Sequence, residues 1–148
     1  MKHISDTQIA NAASKLVDKS YALGDMSKGY DCLNYLVSFY SELGVEIPRE
    51  FEGETLETYP QLWKTNPKKA QQIMAKLFDT FGEEISQDYM ARGDLLIFEG
   101  KEFAIFPGIY LGNDNVLIVF EEGSHVLPLR FIKKFMTKVR RILNVKKD

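Results

Sequence analysis

The hydrophobic period of this chain changes between residues 81 and 94. Before that point apolar residues recur at helical spacing; after it they come in short runs cut by Gly, Asn and Asp. Ile9, Ala12, Ala13, Leu16 and Val17 mark a helix over residues 5–18, capped by Ser5 or Asp6. Leu33, Leu36, Val37, Tyr40 and Leu43 mark a second, with Asp31 as its N-cap and Gly44 just past its end. Ala70, Ile73, Met74, Leu77, Phe78 and Phe81 mark a third, from Pro67 to Phe81, ended by Gly82. Between them, residues 45–66 are acidic, hold Pro48 and Pro60, show no period, and read as an ordered excursion over the surface.

The later runs "DLLIFEG", "EFAIFPGIYLGND", "NVLIVFEEG" and "HVLPL" read as strands of an antiparallel meander, with "LGNDNV" as a hairpin turn. The last segment is basic. Ile132, Phe135, Met136 and Val139 keep helical spacing there, and the alternative is a bent strand. Helices first and strands afterwards predict an α+β fold, with N-terminal helices packed on a C-terminal antiparallel sheet.

At 148 residues the chain is expected to form one domain. Its helical half covers about residues 5–82, its β half about 93–128, and a basic segment 129–148. A net charge of −2 gives no overall signature of nucleic-acid or membrane binding. One cysteine makes no internal disulfide, and no run has the length of a membrane span or the apolar core of a signal peptide. The cytoplasm is the expected location.

That one cysteine, Cys32, falls in the first turn of the expected second helix. A helix start lowers a thiol's pKa and offers N–H groups to a developing oxyanion, two requirements of acyl transfer. The third is a positioned base. The alternative is a small apolar residue that merely packs.

The surrounding residues resemble the nucleophile segment of the NlpC-like cell-wall cysteine peptidases, a papain-like family. Tyr21, Gly24, Gly29, Asp31 and Cys32 fill the pattern Tyr-x-x-Gly, loop, Gly-x-Asp-Cys. Gly93 and Asp94 in "ARGDLLIF" resemble the start of the family's first strand. Gly108, Ile109, Tyr110 and Gly112 in "FPGIYLGND" resemble its His-x-Gly-Ile-Tyr-x-Gly strand. The likeness runs over roughly residues 8–128, and the insertion before the first strand is similar to the phage-tail-associated branch.

The resemblance implies a papain-like fold, a cleft bordered by Tyr21, Tyr30 and Asp31, and two helper positions for the cysteine. The family's base falls on Phe106 and its orienting polar residue on Ile118. Neither side chain takes a proton. The expected function is therefore a catalytically degenerate domain, a binding or structural module of phage or prophage derivation. Its expected partners are a peptide or wall fragment in the former cleft, or phage structural proteins, and its setting the cytoplasm or a phage particle.

The alternative is an active hydrolase of cell-wall stem peptides, with Cys32 attacking and a non-standard base. Only His3 and His125 exist. His3 lies in the N-terminal arm. If Phe120 pairs with His125 across the "EEGS" turn, His125 shares a face with Ile118.

Adjacent carboxylates Glu83–Glu84 and Glu121–Glu122 read as solvated. No zinc spacing or phosphate-binding Gly-rich motif occurs, so no metal or cofactor is expected. The basic C-terminal cations read as a solvated face, or as a contact with an anionic polymer or with the acidic stretch at 50–57. Nucleic acid is not an expected partner.

Overall fold

The computed structural model describes residues 3–19, 33–48, 50–55, 57–100, 105–120 and 123–146. Strand β1 (His3–Ser5) leads into helix α1 (Asp6–Ser14). A reciprocal capping box fixes that start: Ser5 Oγ accepts from the Gln8 N–H, and Gln8 Oε1 accepts from the Ser5 N–H. The helix is shorter than its apolar period, because residues 15–18 continue as a turn that ends with Asp18 at φ +58°.

Helix α2 (Asn34–Glu42) follows, and its N-cap position is Leu33. The expectations for Asp31 as cap and Cys32 in the first turn, like those for Tyr21 and Tyr30, lie outside the described residues. Leu36, Val37, Phe39 and Tyr40 are buried, so nearly the whole helix surface is inside.

Residues 45–66 hold more structure than their lack of period suggests. Strands β2 (Glu50–Phe51) and β3 (Glu54–Thr55) form a minimal hairpin around Glu52 and Gly53, both at positive φ. Helix α3 (Tyr59–Thr65) then opens with Pro60 in its first turn. These elements are too short to display a period. Helix α4 (Pro67–Phe78) is capped by Asn66, whose Oδ1 accepts from the Lys69 N–H. It ends three residues before Phe81. There the Arg140 guanidinium donates to the carbonyls of Asp79, Phe81 and Gly82 and closes the helix end.

The main sheet has six strands: β4 (Glu83–Ile85), β5 (Leu95–Glu99), β6 (Ile105–Gly112), β7 (Asn115–Phe120), β8 (Gly123–Pro128) and β9 (Met136–Arg141). Their order is β4-β9-β5-β6-β7-β8. The β5–β8 meander is the expected one, turning at Asn113–Asp114, both at positive φ. The last segment is not a helix. Two 3-10 turns (residues 129–131 and 133–135) lead into β9, which inserts between β4 and β5. The β half therefore runs from residue 83 to 141 rather than stopping at 128, and β10 (Asn144–Lys146) pairs in parallel with β1.

A bulge explains the false helical period. Leu96 pairs with Val139 and Phe98 with Met136, so Thr137 is an extra residue on β9. Met136 and Val139, three apart, thus bury on one face.

The sheet is covered on both faces. Leu95, Ile97, Ile105, Ile109, Leu117 and Val119 pack with α1, α2 and α4 in the main core. Leu96, Phe98, Val116, Ile118, Met136 and Val139 form a second core, closed by Leu129, Ile132 and Phe135 of the turns. Among the described residues, no helix is long and apolar enough to cross a membrane.

Candidate functional site

Helix α2 is fastened to the sheet at two points. Tyr35 Oη donates to the Pro107 carbonyl at 2.8 Å, and Tyr40 Oη donates to the Gly93 carbonyl at 2.9 Å, both buried. Pro107 sits where this matters. Tyr110 exchanges both backbone groups with Gly93 and Asp94 on the β5 side, so by alternation the backbone of Pro107 faces β7. Proline has no N–H to give there, and the β6–β7 register stops at Ile109↔Leu117. Tyr35 satisfies the carbonyl left over. The first turn of α2, which begins two residues after Cys32 in sequence, is thereby held against the residue next to Phe106.

Phe106 and Ile118 are both part of the second apolar core. Phe106 stacks on Phe98 with ring centroids 5.1 Å apart. Ile118 is 1% exposed and packs with Leu96, Phe98 and Val116. Gly108, between them on the same face, has no room for a side chain: a Cβ there would lie 2.7 Å from Val116 Cγ1 and 2.9 Å from Phe98 Cε2.

His125 lies one strand further out. Phe120 pairs with Gly123, not with His125; Ile118 is the residue opposite His125. The two therefore share a face, as the other pairing would also have required. The His125 side chain is 43% exposed, and its Nδ1 is 3.8 Å from Asp18 Oδ1, beyond hydrogen-bond range. Asp18 was not foreseen, since nothing in the sequence links it to β8. The link is the neighbouring Ser124, fully buried, which donates to the Leu16 carbonyl and accepts from the Lys19 N–H at 2.7 Å. Its backbone also pairs with residues 18 and 19. Gly123 permits this close approach: a Cβ would lie 2.5 Å from the Lys19 carbonyl oxygen. Residues 18 and 19 thus lie against β8 beside His125. His3 lies on β1, in register with Asn144.

Among the described residues, the buried charge belongs to the frame. Asp94, with its side chain 1% exposed, receives two hydrogen bonds from Arg141, at 3.0 and 2.9 Å, and one from the Ala91 N–H at 2.8 Å. The hydrogen bond to Asp94 holds the Arg141 guanidinium above its already high pKa. Burial, and then the charge of Asp94, push the Tyr40 phenol well above the usual tyrosine range, so it remains a donor.

Four of the C-terminal cations are paired elsewhere than with residues 50–57. Arg130 bonds Asp114, Lys138 bonds Asp79, and Arg140 and Arg141 are placed as described. Glu83 and Glu84 lie on β4 opposite Arg141 and Arg140; Glu121 and Glu122 lie outside the described residues. Among the described residues, no cluster of three His, Cys, Asp or Glu side chains could hold a metal ion.

The sequence model of the NlpC/P60 family matches residues 18–141. No curated protein matches the chain in sequence. Solved structures share the fold. An NlpC/P60 family protein from Bacillus cereus superposes with a TM-score of 0.65 at 18% identity, over 93% of this chain and 40% of that one. The NlpC/p60 domain of the peptidoglycan hydrolase SagA gives 0.59 at 22%, over 93% and 99%. The peptidoglycan hydrolase RipB from Mycobacterium tuberculosis gives 0.60 at 24%, over 93% and 64%. The chain thus spans less than half of the Bacillus cereus protein.

Proposed function

Because this chain belongs to the NlpC/P60 family, we propose that it is a catalytically degenerate member, a binding module of phage or prophage origin acting in the cytoplasm or in a phage particle. Its former cleft would hold a peptide or wall fragment of the kind that the peptidoglycan hydrolases SagA and RipB act on, or a phage structural protein. The observation that carries this reading is the packing of Phe106 and Ile118. At the two positions where the family places its base and its orienting residue, this chain has an aromatic stack and a buried aliphatic side chain. Cysteine attack on an amide requires a group that takes the thiol proton and returns it to the leaving amine. Neither side chain can do so. The phage or prophage origin rests on the insertion between α2 and β5, which carries the small hairpin, α3 and α4.

A second reading is favoured by one observation, the Ile118↔His125 register. In it, Cys32 Sγ attacks the scissile carbonyl, His125 accepts the thiol proton and passes it to the departing amine, and water then releases the acyl group. In that reading Asp18 would orient the ring only by closing from 3.8 Å to hydrogen-bond distance.

Incubation of the full chain with purified peptidoglycan and with soluble stem peptides separates the two. The degenerate reading predicts no released peptide or new amine, and co-sedimentation with insoluble peptidoglycan that Cys32→Ala leaves unchanged. Release that disappears in both Cys32→Ala and His125→Ala would establish the second reading in its place.

A further inference from the structure

We propose that the two 3-10 turns at residues 129–135 form a contact surface for an anionic phospholipid bilayer. Six cations lie between residues 130 and 141: Arg130, Lys133, Lys134, Lys138, Arg140 and Arg141. Four of them are used inside the fold, on Asp114, Asp79, the carbonyls at the end of α4, and Asp94. Lys133 and Lys134 have no carboxylate partner among the described residues. Both follow closely on Phe131, which is 64% exposed. Only Tyr89 and Val126 join it as large apolar side chains exposed among the described residues.

The turns are rigid enough to present these groups. Leu129, Ile132, Phe135 and Met136 root them in the second core. The Leu129 and Arg130 N–H groups donate to the Asp114 carbonyl and carboxylate. Arg130 lies over the Phe131 ring and Lys134 over the Phe135 ring, each at 5.1 Å from the centroid. The result is an aromatic wedge fixed among cations.

Such a surface needs a partner that is apolar and anionic within one layer. A bilayer interface supplies both: the ring enters the boundary between headgroups and acyl chains while the ammonium groups stay at the phosphates. A linear polyanion would engage the lysines and leave Phe131 in water. The whole chain is net negative, at −2, so attraction to an anionic surface has to come from a local patch such as this one and not from overall charge.

The test is co-sedimentation of the full chain with vesicles of phosphatidylcholine alone and of phosphatidylcholine mixed with phosphatidylglycerol. Binding is expected to the mixed vesicles only, and to fall as salt rises. Phe131→Ser and Lys133→Glu/Lys134→Glu should each weaken it, the double charge reversal by about tenfold or more. All three positions are exposed or rim positions, so unchanged thermal melts would show that the fold survives. Lys68→Glu/Lys69→Glu, on the exposed side of α4, should leave binding unchanged. No vesicle binding, equal binding to phosphatidylcholine alone, or equal loss in the α4 control would overturn the proposal. So would retention by single-stranded oligonucleotide without vesicle binding, which would assign the patch to nucleic acid instead.

Discussion

Arg141→Ala is expected to lower the unfolding free energy by about 3 kcal/mol, the lower end of what is measured when one partner of a buried ion pair is removed. Asp94 is almost wholly buried and, among the described residues, would retain only the Ala91 N–H as a donor. The low end applies because Arg141 is itself one-third exposed, so water can partly reach the vacated space. For a chain of this length the thermal midpoint should fall by roughly 6–12 °C. Arg141→Lys should recover only part of the loss, since one ammonium cannot reproduce the bidentate geometry. The effect should extend to α2, because Tyr40 donates to the carbonyl of Gly93, the residue before Asp94. Hydrogen exchange of the α2 amides in Arg141→Ala would show it as a loss of protection. A change within about 0.5 kcal/mol, the range of an ordinary surface substitution, would mean that the pair does not hold the frame.

Ile118→His is expected to cost about 2–4 kcal/mol, although on the proposed reading it returns a polar residue to the orienting position. Ile118 is part of the second apolar core. An imidazole there would pack among Leu96, Phe98 and Val116, and the polar side chain that the register sets opposite it is the half-exposed His125 ring. Burying an unpaired polar group contributes about 1–3 kcal/mol, and the change of shape about 1 kcal/mol more. Ile118→Val, which only removes a methylene, should cost about 1 kcal/mol. Denaturant unfolding of the two variants gives the comparison. If Ile118→His were as stable as wild type, polar groups or water would have to reach this position, and the apolar account of the site would be wrong.

The parts of the fold that were legible in the sequence are those where one periodicity acts alone. The α1 start was readable from Ser5 and the α2 stripe from Leu36, Val37 and Tyr40. The β6–β7 turn was readable from Asn113–Asp114. Where two constraints overlap, the sequence misleads. The bulge at Thr137 places Met136 and Val139 on one face of a strand, and that spacing is also a helix signal. Helix α3, only seven residues long, is too short to show a stripe. Arg140 shortens α4 through contacts made from a distant strand, which no local pattern encodes.

Of the site, the parity of His125 with Ile118 followed from the two-residue repeat of a strand, whichever of two pairings held. Ser124 and Asp18 were not legible, because their importance arises from a contact between residues more than a hundred positions apart. Tyr35 read as one more apolar residue of a helix. Its hydroxyl matters because Pro107 leaves a carbonyl without a strand partner.

The measurement that bears most directly on the central claim is the rate of iodoacetamide alkylation of Cys32 as a function of pH, in wild type and in His125→Ala. A thiol with no base beside it should label with a midpoint at or above the free value of about 8.5, with the same curve in both proteins. A midpoint well below that value, moved upward by His125→Ala, would show a thiolate activated by His125 and would contradict the degenerate reading.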